Sequence, residues 1–125
     1  MDKKYNKALK AVLHKTKKDI LKWERISLNP TKNRYLSIYI KKNNLNNSNC
    51  KLFACYYRGG YVFTEINKES NDINVFFQPN IKANLTHIKT KNEDILEEIV
   101  KEIYHQEKNH KHKELHDFIE DLLDD

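Results

Sequence analysis

The only two glycines in this 125-residue chain are adjacent, at Gly59-Gly60, and this pair limits the fold more than any other sequence feature. Two runs rich in tyrosine, valine and phenylalanine flank it, at 51–58 and 61–67. Both central residues of a type I′ turn need a positive φ, so a glycine pair between such runs is typical of a tight β-hairpin. With this turn, Tyr57 is expected to pair with Val62.

Side chains alternate between the two faces of a strand, so the hairpin predicts two different sheet faces. One face carries Phe53, Cys55, Tyr57, Val62, Thr64 and Ile66, and the other carries Ala54, Tyr56, Arg58, Tyr61, Phe63 and Glu65. Exposed aromatic and basic side chains on a sheet are typical of surfaces that stack single-stranded nucleic acid. The same face could instead pack on a protein partner or on a second copy. The candidate binding residues of this aromatic face are Tyr56, Tyr61 and Phe63.

Residues 4–26 have the periodicity of an amphipathic helix, with a possible break near 16–18. Its apolar side is formed by Tyr5, Leu9, Val12, Leu13, Thr16, Ile20 and Trp23. Lysines occupy the opposite side, and the candidate binding residues of this basic face are Lys3, Lys7, Lys10, Lys18 and Lys22. A lysine face of this kind suits contacts with the phosphates of a nucleic acid.

The remaining pattern completes an α+β chain. Alternation predicts further strands at 34–41 and 73–78, with a short extended piece near 85–88. Thr90 to Glu93 has the form of a capping box, which predicts a helix that ends at a polar break over 106–113. A last helix is expected at about 113–123. We therefore predict one domain, residues 1–125, with an N-terminal helix, a four-stranded antiparallel sheet and two C-terminal helices.

The net charge of +5 conceals a strong asymmetry along the chain. Residues 1–51 hold fourteen Lys or Arg and three acidic residues, a balance of +11, whereas residues 52–125 hold nine and fifteen, a balance of −6. Such asymmetry can mark a surface for nucleic acid or for an acidic protein. It also fits a basic first helix that lies beside acidic C-terminal helices. The chain is rich in lysine, asparagine, isoleucine and tyrosine, whose A/T-rich codons offer a non-functional reason for the lysine excess.

The sequence contains no recognisable catalytic motif. His112, His116 and Glu120 follow each other at intervals of four, as metal ligands on a helix do, but they flank the apolar stripe of a surface helix and lack an HExxH order. The carboxylate pairs at 93–98 are expected on a solvated helix face rather than in a cleft. No glycine-rich phosphate loop and no GxSxG motif occur. We expect no enzyme activity, no metal site and no cofactor.

Apolar runs are too short for a secretory signal or a membrane span, since the longest covers six residues, 52–57. Cys50 and Cys55 are expected to remain reduced thiols, with Cys55 buried. We expect a cytoplasmic protein with no membrane partner.

Residues 13–24 read Leu-His-Lys-Thr-Lys-Lys-Asp-Ile-Leu-Lys-Trp-Glu. With the strands and the glycine hairpin that follow, they resemble small uncharacterised proteins of low-GC Gram-positive bacteria, many of them carried on prophages and conjugative elements. The resemblance covers about residues 8–100, and relatives often have a glycine where this chain has Lys18-Asp19. It implies a mobile-element accessory protein and no particular activity. The first hypothesis is thus a non-catalytic interaction protein that binds a protein partner or itself. The alternative is nucleic-acid binding through the lysine face of the first helix.

Overall fold

A computed structural model of the protein describes residues 2–26 and 50–124. In chain order, the elements are α1 (Asp2–Lys17), β1 (Glu24–Ile26), β2 (Cys50–Tyr57), β3 (Gly60–Asn67), β4 (Ile73–Gln78), β5 (Thr86–His87) and α2 (Glu93–Leu123). The five described strands form one antiparallel sheet in the order β1-β2-β3-β4-β5. The α+β class is confirmed, although the described part has five strands rather than four. The strand predicted at 34–41 lies outside the described residues.

The β2–β3 hairpin is present, but its register differs from the predicted one. Arg58 and Gly59 form the turn, with φ of 45° and 86°, and Tyr57 pairs with Gly60 instead of Val62. Gly60 is needed for packing, because a Cβ there would lie 2.1 Å from the carbonyl oxygen of Gln78. The register shift moves the pairing by two residues, and the predicted division of the strands into two faces is therefore unchanged.

The first helix is shorter than predicted, and the strand β1 replaces its C-terminal end. α1 ends at Lys17, and Asp19 follows with a φ of 58°. The Thr16 hydroxyl donates to the Val12 carbonyl at 2.7 Å and accepts from the Trp23 indole N–H at 3.0 Å. These bonds hold the reversing chain against the last turn of α1. Trp23 therefore packs on the core from a loop rather than from the helix.

The two predicted C-terminal helices are one continuous helix of 31 residues. The prediction of a break at 106–113 was wrong, because lysine, glutamate and glutamine are good helix formers even where no apolar face supports them. The N-cap is Asn92, whose side chain accepts from the Ile95 N–H at 3.4 Å, and the Thr90 hydroxyl accepts from the Asn92 N–H at 3.0 Å. The cap therefore lies two residues after the predicted Thr90.

Both helices pack on one face of the sheet and enclose the main core. Its largest fully buried members include Phe53, Leu9, Leu21, Ile99 and Ile103. A smaller cluster lies on the opposite face and is formed by Ile26, Leu52, Ala54 and Phe63, with Tyr61, Phe76 and Leu85 packed against it. Neither described helix combines the length and the apolar character that a membrane crossing requires.

Candidate interaction surfaces

Gln106 joins α2 to the loop that follows α1. Its side-chain amide donates to the carbonyls of Thr16 at 2.9 Å and Leu21 at 2.8 Å, and its carbonyl accepts from the Trp23 N–H at 3.0 Å. One side chain thus bonds to three backbone groups, the Thr16 carbonyl in the last turn of α1 and two groups of the loop that follows it. This arrangement fixes the position at which α2 crosses α1.

One turn of helix around Gln106 also binds α2 to the edge of the described sheet. Arg25 of β1 donates to both carboxylate oxygens of Glu107 at 2.8 and 2.9 Å, and its guanidinium lies 5.1 Å from the Phe53 ring centre. The hydrogen bond from Arg25 lowers the pKa of the Glu107 carboxyl. Tyr104 packs edge-on against Phe53 at 5.7 Å, and its hydroxyl lies 3.4 Å from Lys51 Nζ. Within the described sheet, α2 therefore passes from β2 to β1.

Beyond Glu107, whose carboxylate pairs with Arg25, the helix continues for sixteen residues to Leu123, which is about 24 Å at 1.5 Å per residue. One side of this projecting half is apolar and exposed. Its members, here called the α2 stripe, are Leu115 (57% exposed), Phe118 (62%), Ile119 (44%), Leu122 (68%) and Leu123 (75%). The spacing of three and four residues places them on a common face.

Charge is distributed unevenly along the projecting half. Residues 108–113 contain three lysines and no acidic residue, whereas residues 114–125 contain six acidic residues and no lysine or arginine. The three histidines of this half are exposed, and two of them lie beside acidic side chains, His110 at 2.9 Å from Glu114 and His116 at 3.8 Å from Glu120. Within the described ranges, no three His, Cys, Asp or Glu side chains converge as a metal site would require.

The predicted basic face is only partly helical. Lys3, Lys7 and Lys10 are exposed on α1, while Lys18 and Lys22 are exposed in the loop beyond its end. No ion pair joins any of these lysines to an acidic residue of the described part of the chain. The expected neutralisation of α1 by acidic helices is therefore not achieved through direct contacts there.

The predicted aromatic face is less exposed than a stacking platform would be. Tyr56 is 62% exposed, Tyr61 is half-buried, and Phe63 is fully buried. The rings are neighbours, since Tyr61 lies 5.6 Å from Tyr56 and 5.8 Å from Phe63. Phe63 is thus a core residue of the second apolar cluster and not a surface residue.

A groove opens between α1 and the hairpin end of the sheet, with a volume of about 480 Å³. We call it the α1 groove, and its walls include Ala8, Ala11, Tyr57, Val62, Phe77 and Pro79. Two cations stand at its rim over the same ring, Lys15 at 5.6 Å and Arg58 at 5.2 Å from the Tyr57 centre. The groove is therefore apolar inside and positively charged at its edge.

The buried thiols do not form a reactive site. Burial raises the pKa of Cys55 to about 12, so that its thiol stays protonated at neutral pH and is a poor nucleophile. Cys50 is buried as well, and neither cysteine takes part in a disulfide.

No family model, curated protein or solved structure matches this chain. The candidate interaction surfaces are therefore identified from the geometry of this chain alone. The sequence analysis placed the α2 stripe on a separate amphipathic helix and named none of its residues as a binding site. One signal was available, because the six acidic residues at 114–125 surround this apolar pattern without a single compensating lysine.

Proposed function

We propose that this protein is a non-catalytic interaction protein whose binding element is the α2 stripe. The observation that carries the proposal is the exposure of five large apolar side chains, between 44% and 75%, on one side of a helix that has left its own core. Soluble proteins rarely expose such contiguous apolar surface unless it binds something. An amphipathic helix that inserts its apolar side into a groove is a common mode of protein recognition.

The way in which α2 is anchored supports this role. Gln106 and the Arg25–Glu107 pair hold the helix immediately before its projecting half. A helix fixed at its base presents its side chains in a preformed arrangement, which reduces the entropy lost on binding. The stripe therefore suits a partner with an apolar groove that accepts side chains spaced at three and four residues.

The cellular setting is part of the proposal. The resemblance of residues 13–24 supports an accessory protein of a mobile element, and the absence of a disulfide at Cys50 and Cys55 supports a cytoplasmic location.

Nucleic-acid binding is the second candidate. The observation in its favour is that the exposed α1 lysines, Lys3, Lys7 and Lys10, form no ion pairs with acidic residues of the described part. Salt separates the two candidates, because phosphate contacts release counterions and weaken steeply as salt is added.

Capture from a lysate of the source organism tests the first proposal. The immobilised full chain should retain proteins that survive nuclease treatment, and Phe118→Ser combined with Leu122→Ser should lose them. Lys113→Ser on the back of the same helix is the matched control and should retain them. Equal capture by the double variant, or capture abolished by nuclease, would contradict the proposal.

A further inference from the structure

We propose that the occupant of the α1 groove is the α2 stripe of a second copy of this chain. This inference rests on the proposed function, since it names the partner of the same stripe. Both halves of the contact are present in one protein, an exposed apolar helix with acidic neighbours and an apolar groove with a cationic rim.

The charges of the two surfaces are complementary. Glu114 and Asp121 lie on the Phe118 side of the stripe, about 40–60° around the helix from that ring at 100° per residue. The groove carries Lys15 and Arg58 at its rim. A stripe seated in the groove would bring acidic flanks against these cations, and opposite charges across an interface guide association and orient it.

Pairing between two stripes is disfavoured by the same charges. In a parallel pair, the six acidic residues at 114–125 of each copy would lie side by side. In an antiparallel pair centred on the stripe, Glu114 and Asp121 of one copy would face the same residues of the other, because they occupy equivalent flanking positions. Like charges at such positions are destabilising. The groove of the second copy offers the apolar contact without this repulsion.

The lining of the groove suits a helix face. Ala8 and Ala11 form its α1 wall, and such small side chains allow another helix to approach closely. Val62, Phe77 and Tyr57 supply an apolar floor for rings and branched side chains.

A copy cannot fill its own groove with its own stripe. Within one copy, the described lining of the groove includes no residue of α2, and the stripe is 44–75% exposed. α2 comes nearest to the groove at Gln106, whose side chain donates to the carbonyl of the lining residue Leu21 at 2.8 Å. The continuous helix then carries the stripe further past β1. Contact is therefore between copies, either reciprocal in a closed pair or from head to tail.

Sedimentation velocity on the full chain, from about 10 to 200 μM in 50 mM salt, tests the inference. The wild type should self-associate, and its apparent Kd should weaken several-fold in 500 mM salt because the rim charges are screened. Phe118→Ser with Leu122→Ser removes the apolar anchors, and Lys15→Glu with Arg58→Glu reverses the rim. Each double variant alone should associate at least tenfold more weakly. Lys89→Glu with Lys101→Glu reverses two exposed lysines elsewhere and should behave as the wild type.

Mixing the two double variants gives the decisive result. The stripe variant keeps an intact groove and the groove variant keeps an intact stripe, so a 1:1 complex should form in the mixture. If Lys15→Glu with Arg58→Glu unfolds the protein, as circular dichroism would show, Ala11→Trp is used as the groove variant. A tryptophan at this position fills the groove without changing its charge. A wild type that stays monomeric at 200 μM, a groove variant that associates normally, or a mixture without complex would overturn the inference. Stripe-dependent capture from lysate would then still support the proposed function. If neither self-association nor stripe-dependent capture is observed, the inference and the proposed function are both refuted.

Discussion

At the scale of single residues, the two adjacent glycines are required for different reasons. Gly59 adopts a φ of 86° with open space around its Cα, while Gly60 has the backbone of Gln78 and Pro79 where its Cβ would be. Gly59→Ala should cost about 1–2 kcal/mol, the usual penalty of a left-handed conformation. Gly60→Ala should cost more, because backbone on a neighbouring strand must move. Urea unfolding of both variants checks this order, and equal costs would show that the turn is at Gly59-Gly60 after all.

Gln106 is the residue whose loss should most affect the junction of α1 and α2. Gln106→Leu keeps the volume but leaves the Leu21 carbonyl and the Trp23 N–H without the Gln106 side chain. The Thr16 carbonyl keeps its bond from the Asp19 N–H at 3.1 Å. We expect a loss of about 1–3 kcal/mol in the free energy of unfolding. His105→Leu, an exposed neighbour, should change it by less than about 0.5 kcal/mol. If both substitutions changed the free energy of unfolding by a similar amount, the three hydrogen bonds of Gln106 would contribute nothing to stability.

The Arg25–Glu107 pair gives the protein a predictable response to acid. Arg25 lowers the pKa of the folded Glu107 carboxyl below its unfolded value of about 4.3. The associated stability is therefore fully present above that unfolded value and is lost as the pH falls through the folded pKa. The Arg25 side chain is 43% exposed, so the contribution is limited to about 1 kcal/mol or less. Glu107→Gln should lower the free energy of unfolding at pH 7. The difference between variant and wild type should become smaller below pH 4, and urea unfolding midpoints measured across pH check this.

At the scale of elements, α2 is one continuous helix whose two halves have different surroundings. Its first half buries Ile95, Ile99 and Ile103, whereas the side chains of the stripe in its second half are 44–75% exposed. Ile103→Ala should cost about 2–5 kcal/mol, including the cavity that it leaves. Leu122→Ala should cost less than about 0.5 kcal/mol. A large cost for Leu122→Ala in urea unfolding of the dilute protein would place the stripe in the core instead.

The sequence predicted elements where local chemistry alone decides them. Alternation in 51–58 and 61–67 predicted both strands and their faces, because side-chain direction depends only on neighbouring residues. α1 ends at the break that the sequence allowed near 16–18, whereas the strand at Glu24–Ile26 and the unbroken course of α2 were not predicted. Both depend on contacts remote in sequence, such as Trp23 on Gln106 and Arg25 on Glu107. An apolar helical pattern likewise does not state whether it faces a core or solvent. The six acidic residues at 114–125 were a sequence signal for solvent around this pattern, and the structure then gave the exposure of the α2 stripe.

At the scale of the whole molecule, the charge asymmetry predicts where nucleic acid would bind if it bound at all. The basic face includes Lys7, Lys10 and Lys18, which are exposed. We expect binding of a random 30-mer to be no tighter than ~10 μM at 150 mM salt, the range of non-specific contact. Fluorescence anisotropy measures this. Sub-micromolar binding that disappears when these three lysines become glutamine would favour the nucleic-acid alternative.

The central claim is that the α2 stripe, and no other side of the projecting helix, contacts a partner. Photo-crosslinking in cells tests it directly, with a benzophenone amino acid placed at Phe118 on the stripe or at Asp117 on the opposite side of the same turn. We expect abundant protein adducts from position 118 and few from position 117. Equal yields from both positions, or adducts from position 117 alone, would contradict it.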